Sequence, residues 1–113
     1  NESDPSDVVA IALSIASDYL PDEFALQQNY PNPFNPSTQI RYSLPVSSNV
    51  KVVVYNMLGS KVRTLYNGNQ DAGYRSVMWN ATNDNGDPVA AGMYIYTIEA
   101  DGYFASKKMI LLK

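Results

Sequence analysis

The sequence predicts an all-β protein, built as an antiparallel β-sandwich of about seven strands. From Phe24 onward, short apolar runs recur at a spacing of roughly 8–12 residues, which is typical of sandwiches. The 7 prolines and 6 glycines separate these runs, as turn residues do. The 9 tyrosines and 3 phenylalanines favour strands over helices. A small closed barrel is the alternative architecture.

Residues 1–23 precede the strand pattern and are ambiguous. Asp4 and Pro5 could cap and open a helix. Large side chains at positions 9, 11, 13 and 15 alternate with small ones, however, and favour a strand. We expect residues 1–23 to be a linker or the last element of an upstream domain, and residues 24–113 to form one domain. We take the chain to be the C-terminal part of a longer protein.

Residues 29–37 contain three prolines, each of which fixes its own φ and removes a backbone donor. Neither a helix nor a central strand can pass through such a segment, so we expect a stiff, extended strap. Asn32 and Asn35 are expected to bond to nearby backbone. Tyr30 and Phe34 are expected to pin the segment onto the core. The structural strap comprises Tyr30, Pro31, Asn32, Pro33, Phe34, Asn35 and Pro36.

The strands follow from alternating side chains and from the turn residues between them. The predicted strands are residues 24–28, 38–44, 50–56, 61–66, 73–80, 93–100 and 103–112. In the second strand Ile40, Tyr42 and Leu44 face the core. The third has apolar side chains on both faces and is expected to be central. The pair Asn67-Gly68 ends the fourth, and Trp79 of the fifth points inward.

The last two strands form a hairpin at Asp101-Gly102, a strong signal for a two-residue loop. Such a loop would pair Tyr96 with Lys107 and set this lysine on the same face as Met109. Neither face of the hairpin would then be uniformly apolar. Either a β-bulge resets the register or both faces are partly covered.

Composition excludes several classes of function. The net charge is −3, so the chain lacks the basic field that nucleic-acid binding requires. It has no histidine and no cysteine, which removes the usual general base and thiol chemistry. No apolar run is long enough for a membrane-spanning helix. We expect no catalytic residues, no metal, no cofactor, no nucleic acid and no small-molecule substrate.

Two clusters have a functional alternative. Residues 83–87 resemble a calcium loop, but no glutamate follows within the required distance, so a β-turn is favoured. Several tyrosines could form a platform for a sugar, although alternating aromatics in strands more often belong to the core. These tyrosines are Tyr55, Tyr66, Tyr74, Tyr94, Tyr96 and Tyr103.

Residues 107–113 place three lysines around four apolar residues. They can be a closing strand whose charges discourage aggregation, or a strand that a partner captures by strand addition. Both interpretations remain open at this point.

Segments 29–37, 54–59, 73–79, 84–94 and 108–113 carry, in order, motifs that resemble the type A C-terminal sorting domain of the type IX (Por) secretion system. The resemblance covers about residues 20–113. Arg75 stands where this family commonly has histidine, and Asn80 where aspartate is usual.

The resemblance implies an immunoglobulin-like sandwich and a non-catalytic secretion signal. Such a domain takes a cargo, linked to its N-terminal side, to the type IX translocon for export across the outer membrane of a Gram-negative bacterium of the Bacteroidetes. A sortase-like protease then removes the domain, here within residues 16–28, and the cargo is released or anchored at the cell surface. We expect a monomer. The implied recognition residues are Gly92, Tyr94, Lys107, Lys108, Met109, Ile110, Leu111, Leu112 and Lys113.

Two other functions compete with this one. A related immunoglobulin-like domain caps the flagellar hook, which would make the chain an assembly module. Alternatively, the chain could be a carbohydrate-binding or spacer module of an extracellular enzyme, for which an exposed, coplanar set of tyrosines would be the discriminating feature.

Overall fold

Two antiparallel sheets pack face to face in the computed structural model, which describes residues 20–112. The strands are β1 (Ala25–Leu26), β2 (Thr38–Leu44), β3 (Ser48–Asn56), β4 (Lys61–Gln70), β5 (Gly73–Trp79), β6 (Gly92–Ala100) and β7 (Tyr103–Leu111). The smaller sheet has the order β1-β2-β5 and the larger sheet the order β4-β3-β6-β7. The predicted sandwich is therefore confirmed and the barrel is wrong. The question of helix or strand within residues 1–19 lies outside the described part.

The core lies between the inward faces of the two sheets. Ile40, Tyr42 and Leu44 of β2 are buried, as their alternation predicts. They meet the inner faces of β3 and β6, where every second residue is also buried. Val53 is almost fully buried on the opposite face of β3, in keeping with the central place of this strand between β4 and β6. Trp79 is fully buried at the end of β5.

Strand β4 is longer than predicted. Asn67-Gly68 does not end it, because β3 begins earlier than expected and offers partners to residues up to Gln70. Gly68 pairs with Val50 inside the ladder. The ladder between β3 and β4 also contains two irregularities, after Val52 and after Val54.

The β6–β7 hairpin keeps one register throughout, from the pair Ala100–Tyr103 to the pair Gly92–Leu111. There is no bulge, so the second alternative holds: both faces are partly covered. Lys107 lies half-buried opposite Tyr96 on the inner face, and Ile95 is half-buried on the outer face. In residues 20–112, no helix is long and apolar enough to cross a membrane.

Candidate functional site

Phe34 anchors the strap in the core. Its side chain is 1% exposed, and its ring centroid lies 5.7 Å from that of Trp79. Trp79 in turn meets the ring of Tyr94 edge-on, with centroids 5.2 Å apart. These three aromatics join the strap, the smaller sheet and the larger sheet, so the predicted anchoring role of Phe34 is confirmed.

Tyr30 does not anchor the strap, and that prediction is wrong. Its side chain is 71% exposed, whereas its backbone exchanges two 2.9 Å hydrogen bonds with Gln39. Because neighbouring side chains of an extended backbone point to opposite sides, this pairing turns Tyr30 outward and Asn29 inward. Asn29 is 2% exposed, and its side-chain amide donates to Thr38 Oγ1 at 2.9 Å and to the Pro31 carbonyl at 3.1 Å.

The strap is hydrogen-bonded to the closing strand. The Phe34 amide donates to the Ile110 carbonyl at 3.0 Å, and the Leu112 amide donates to the Phe34 carbonyl at 2.9 Å. Asn32 Oδ1 accepts from the Ile110 amide at 3.0 Å. The expectation that Asn32 bonds to nearby backbone is thus wrong, because its partner is 78 residues away. We call these three bonds the strap–strand junction.

The junction covers one half of the outer edge of β7. Two residues before Ile110 along β7, Gln28 Nε2 donates to the Lys108 carbonyl at 2.8 Å. Four consecutive outward backbone groups, from the Lys108 carbonyl to the Leu112 amide, are therefore already paired. Strand addition by a partner along this half of β7 would have to displace the strap first.

The predicted recognition residues divide into inward and outward sets. Tyr94, Met109 and Leu111 are buried on the inner face, and the Tyr94 hydroxyl donates to the Ala90 carbonyl at 2.5 Å. Lys107 is half-buried. The residues that point outward and are exposed are Lys108, Ile110 and Leu112. Lys113 lies outside the described residues.

Gly92 starts β6 with a φ of +144°, a conformation that side chains rarely adopt. No atom lies within 4 Å of the place where a Cβ would stand. Backbone conformation, and not lack of space, therefore calls for glycine here.

The three proline peptide bonds of the strap, before Pro31, Pro33 and Pro36, are cis.

Buried tyrosine hydroxyls supply the polar contacts beneath the strap. The Tyr96 hydroxyl accepts from the Asn29 amide at 2.8 Å and donates to the Gln27 carbonyl at 2.6 Å. Burial raises the pKa of Tyr96 to about 12, although the bond from Asn29 opposes the shift. Burial likewise raises the pKa of Tyr42 to about 12, opposed by its bond to Gln70, and it raises the pKa of Tyr94.

Residues 83–87 form a turn stabilised by its own side chains. Asn83 Oδ1 accepts from the Asn85 and Asp87 amides, both at 3.0 Å, and the Gly86 amide donates to the Asn83 carbonyl. Asp84 Oδ1 accepts from the Thr64 amide of β4. Among residues 20–112, no three histidine, cysteine or acidic side chains are grouped so that they could hold a metal. These bonds favour the turn over the calcium loop.

The candidate tyrosines do not form one platform. Tyr94 and Tyr96 are buried in the core, and Tyr55 lies on the outer face of β3. Tyr103 stacks on Phe24 with centroids 5.3 Å apart. Tyr74 is 64% exposed but belongs to the smaller sheet. Tyr66 is half-buried and packs against the core. The six tyrosines therefore do not gather on one face.

Sequence reasoning missed three residues of this site: Gln28, Asn29 and Tyr96. All three connect the start of the strap to the larger sheet. The run of amide side chains at positions 27–29 was the available signal, since such groups beside a proline-rich segment need partners when buried. Their partners lie more than sixty residues away in the sequence, so they could not be named from local spacing.

Two antiparallel sheets of three and four strands, with a core that contains Trp79 between them, define an immunoglobulin-like sandwich. Residues 36–103 match the family described as the FlgD Ig-like domain. The chain belongs to this family. The match begins at the last strap proline and ends at the first residue of β7, so most of the strap and of the closing strand lie outside it.

Solved structures share the fold. PorU of Porphyromonas gingivalis, in its dimeric latent form, is 23% identical over 81% of this chain, with a TM-score of 0.65. PorZ, a surface component of the type IX secretion system of the same bacterium, is 20% identical over 81% of this chain, with a TM-score of 0.50. FlgD of P. aeruginosa is 32% identical over 66% of this chain, with a TM-score of 0.50.

The chain spans only a part of each of these proteins: 9% of PorU, 12% of PorZ and 60% of FlgD. No curated protein matches the chain.

Proposed function

We propose that the chain is a non-catalytic sorting domain of type A, which directs a cargo linked ahead of it to the type IX translocon for export across the outer membrane. The observation that carries the proposal is the strap–strand junction. It joins the strap and the closing strand, the two segments that carry sorting-domain motifs and extend beyond the FlgD Ig-like match.

The outward residues Lys108, Ile110 and Leu112 are the part of the closing strand that a partner can touch without unfolding the domain. Tyr94 and Met109 position that strand from the core side. In this proposal the translocon reads the outward side chains, the cargo is carried to the cell surface or secreted, and a sortase-like protease cuts within residues 16–28. The domain acts as a monomer.

Related findings support the proposal. The same sandwich occurs within PorU and PorZ, and PorZ is itself a surface component of a type IX system. A chain without histidine and cysteine suits a binding role better than a catalytic one. The second candidate is an assembly module like the immunoglobulin-like domain of FlgD, favoured by the 32% identity to that protein. The separated tyrosine faces weigh against a carbohydrate-binding module.

A secretion assay tests the proposal. A periplasm-directed fluorescent reporter is fused to residues 16–113 and produced in a bacterium with a working type IX system. Deletion of residues 107–113 removes buried Met109 and Leu111, and so it risks unfolding the domain. A second variant, Lys108→Ser with Leu112→Ser, changes exposed side chains only and is compared with it.

We expect the parent reporter in the medium and both variants held in the periplasm. A parent that stays in the periplasm, with the domain shown to be folded by its resistance to protease, would refute the sorting function. Export of a folded double variant at the parental level would refute the proposal that the translocon recognises the outward side chains.

A further inference from the structure

The outer face of the larger sheet is not polar throughout. Register places Lys51, Glu99 and Phe104 in one row near the β6–β7 hairpin. Two rows further toward the opposite end, Tyr55 and Ile95 lie beside each other. A solvent-facing side of an antiparallel sheet is usually polar, so apolar residues at these positions need an explanation.

The apolar character continues to the end of the sheet. Met93 and Ile110 pair there and are 39% and 37% exposed. The β3–β4 turn leaves the sheet at the same end and presents Met57 at 55% and Leu58 at 91% exposure. We call this region the basal patch; its apolar members are Tyr55, Met57, Leu58, Met93, Ile95 and Ile110. Exposed apolar side chains gathered in one region mark interaction surfaces.

The charged residues in the rows of the basal patch are all basic. Lys61 pairs with Tyr55 and Lys108 pairs with Ile95, which puts a lysine at each side of the same row. No acidic residue lies in this row or in the next one, whereas the row near the hairpin combines Lys51 with Glu99. Asp84 lies at the outer edge of β4, where its carboxylate accepts from the Thr64 amide and its own amide donates to the Val62 carbonyl.

We propose that the basal patch docks an apolar protein surface bearing carboxylates, on the translocon component that reads the closing strand. This rests on the proposed sorting function and extends it, because the surface crosses β3, β4, β6 and β7 and is not confined to the terminal residues. Recognition of this kind requires the folded sandwich, since only the fold brings Leu58, Lys61 and Lys108 to the same end of the larger sheet.

Two other occupants fit less well. A second copy of the chain, docked by two-fold symmetry, would set the same two lysines against their own counterparts in the partner. An anionic membrane is typically recognised by clusters of about 4–8 basic residues, whereas the basal patch has two lysines. A protein with locally placed carboxylates meets neither objection.

The reporter fusion to residues 16–113 serves for the test. Lys61→Glu and Leu58→Ser change the patch outside the closing strand. Lys51→Glu changes a lysine of the same face at its other end and is the matched control. Thermal unfolding of each purified fusion verifies that the sandwich is intact. Binding to vesicles of anionic phospholipid is measured for the parent and for Lys61→Glu.

We expect Lys61→Glu to lower export by about tenfold or more, since a like charge at an interface is strongly unfavourable. Leu58→Ser should lower export as well, because it removes the most exposed apolar side chain of the patch. Lys51→Glu should be exported like the parent. If the closing-strand variant fails while Lys61→Glu and Leu58→Ser are exported normally, the sorting function stands and the docking surface is wrong. Equal losses for Lys51→Glu and Lys61→Glu also overturn it, as does vesicle binding by the parent that Lys61→Glu abolishes.

Discussion

Replacing Phe34 by alanine tests whether the strap is part of the core. The side chain is 1% exposed and faces Trp79, so its removal leaves a cavity between the two sheets. Removal of a buried phenylalanine costs about 3–5 kcal/mol in the free energy of unfolding. The total stability of a domain is about 5–15 kcal/mol, so this one change removes a large share of it.

Tyr30→Ala is the matched control, because it removes an aromatic ring from the same segment. Tyr30 is 71% exposed and contributes its backbone, not its ring, to the pairing with Gln39. A surface substitution of this kind changes stability by about 0.5 kcal/mol or less. The comparison therefore separates burial from aromatic content.

Urea unfolding followed by the fluorescence of Trp79, the one tryptophan of the chain, measures both variants. For urea slopes of about 1–3 kcal/mol per molar, a loss of about 3 kcal/mol lowers the midpoint by roughly 1–3 M. Phe34→Leu, which fills part of the cavity, should lose less than Phe34→Ala. Equal losses for Phe34→Ala and Tyr30→Ala, or a loss under about 1 kcal/mol for Phe34→Ala, would refute the anchoring role.

Three further predictions concern the residues beneath and beside the strap. Tyr96→Phe removes a buried hydroxyl that holds the strap backbone, so it should cost about 1–3 kcal/mol and speed hydrogen exchange of the Asn29 amide; an unchanged exchange rate would contradict this. The folded-state pKa of Tyr96 and of Tyr42 is raised above 10.0 to about 12, so stability should be constant below pH 10 and fall as pH rises toward 12. Urea midpoints measured across this range should show the fall, and a flat profile would contradict the prediction. Gly92→Ala should cost about 1–3 kcal/mol in urea unfolding because its φ is positive, whereas Gly68→Ala, which has no such φ, should cost less; equal effects would argue against backbone strain.

Local pattern was a good guide to the strands. The alternation from Thr38 to Leu44 predicted both bounds of β2 and the residues that it buries, because each side chain needs only its own strand to decide its face. Asp101-Gly102 likewise fixed the register of the last hairpin through the geometry of a two-residue loop. The end of β4 was predicted wrongly, since the number of partners that β3 offers decides where that strand stops.

In the strap, too, some features followed from local sequence and others depended on distant contacts. Its proline content predicted an extended segment, whereas the backbone bends at residues 31–33 and 35–36. Two aromatics were expected to anchor it. Which of them does so depends on the pairing of Tyr30 with Gln39, a contact between the strap and β2 that local sequence does not reveal. The same holds for Asn32, whose partner amide belongs to Ile110.

The sequence by itself determined the class of fold, the order of strands along the chain and the absence of histidine and cysteine, because alternation, turn residues and composition are local properties. Only the tertiary structure decided which backbone edge of β7 is covered and which lysines share a row. Lys61 and Lys108 are brought to one surface by sheet order, and the strap reaches Ile110 through hydrogen bonds whose partners are distant in sequence. Such contacts exist only after the two sheets have packed around Trp79 and Phe34.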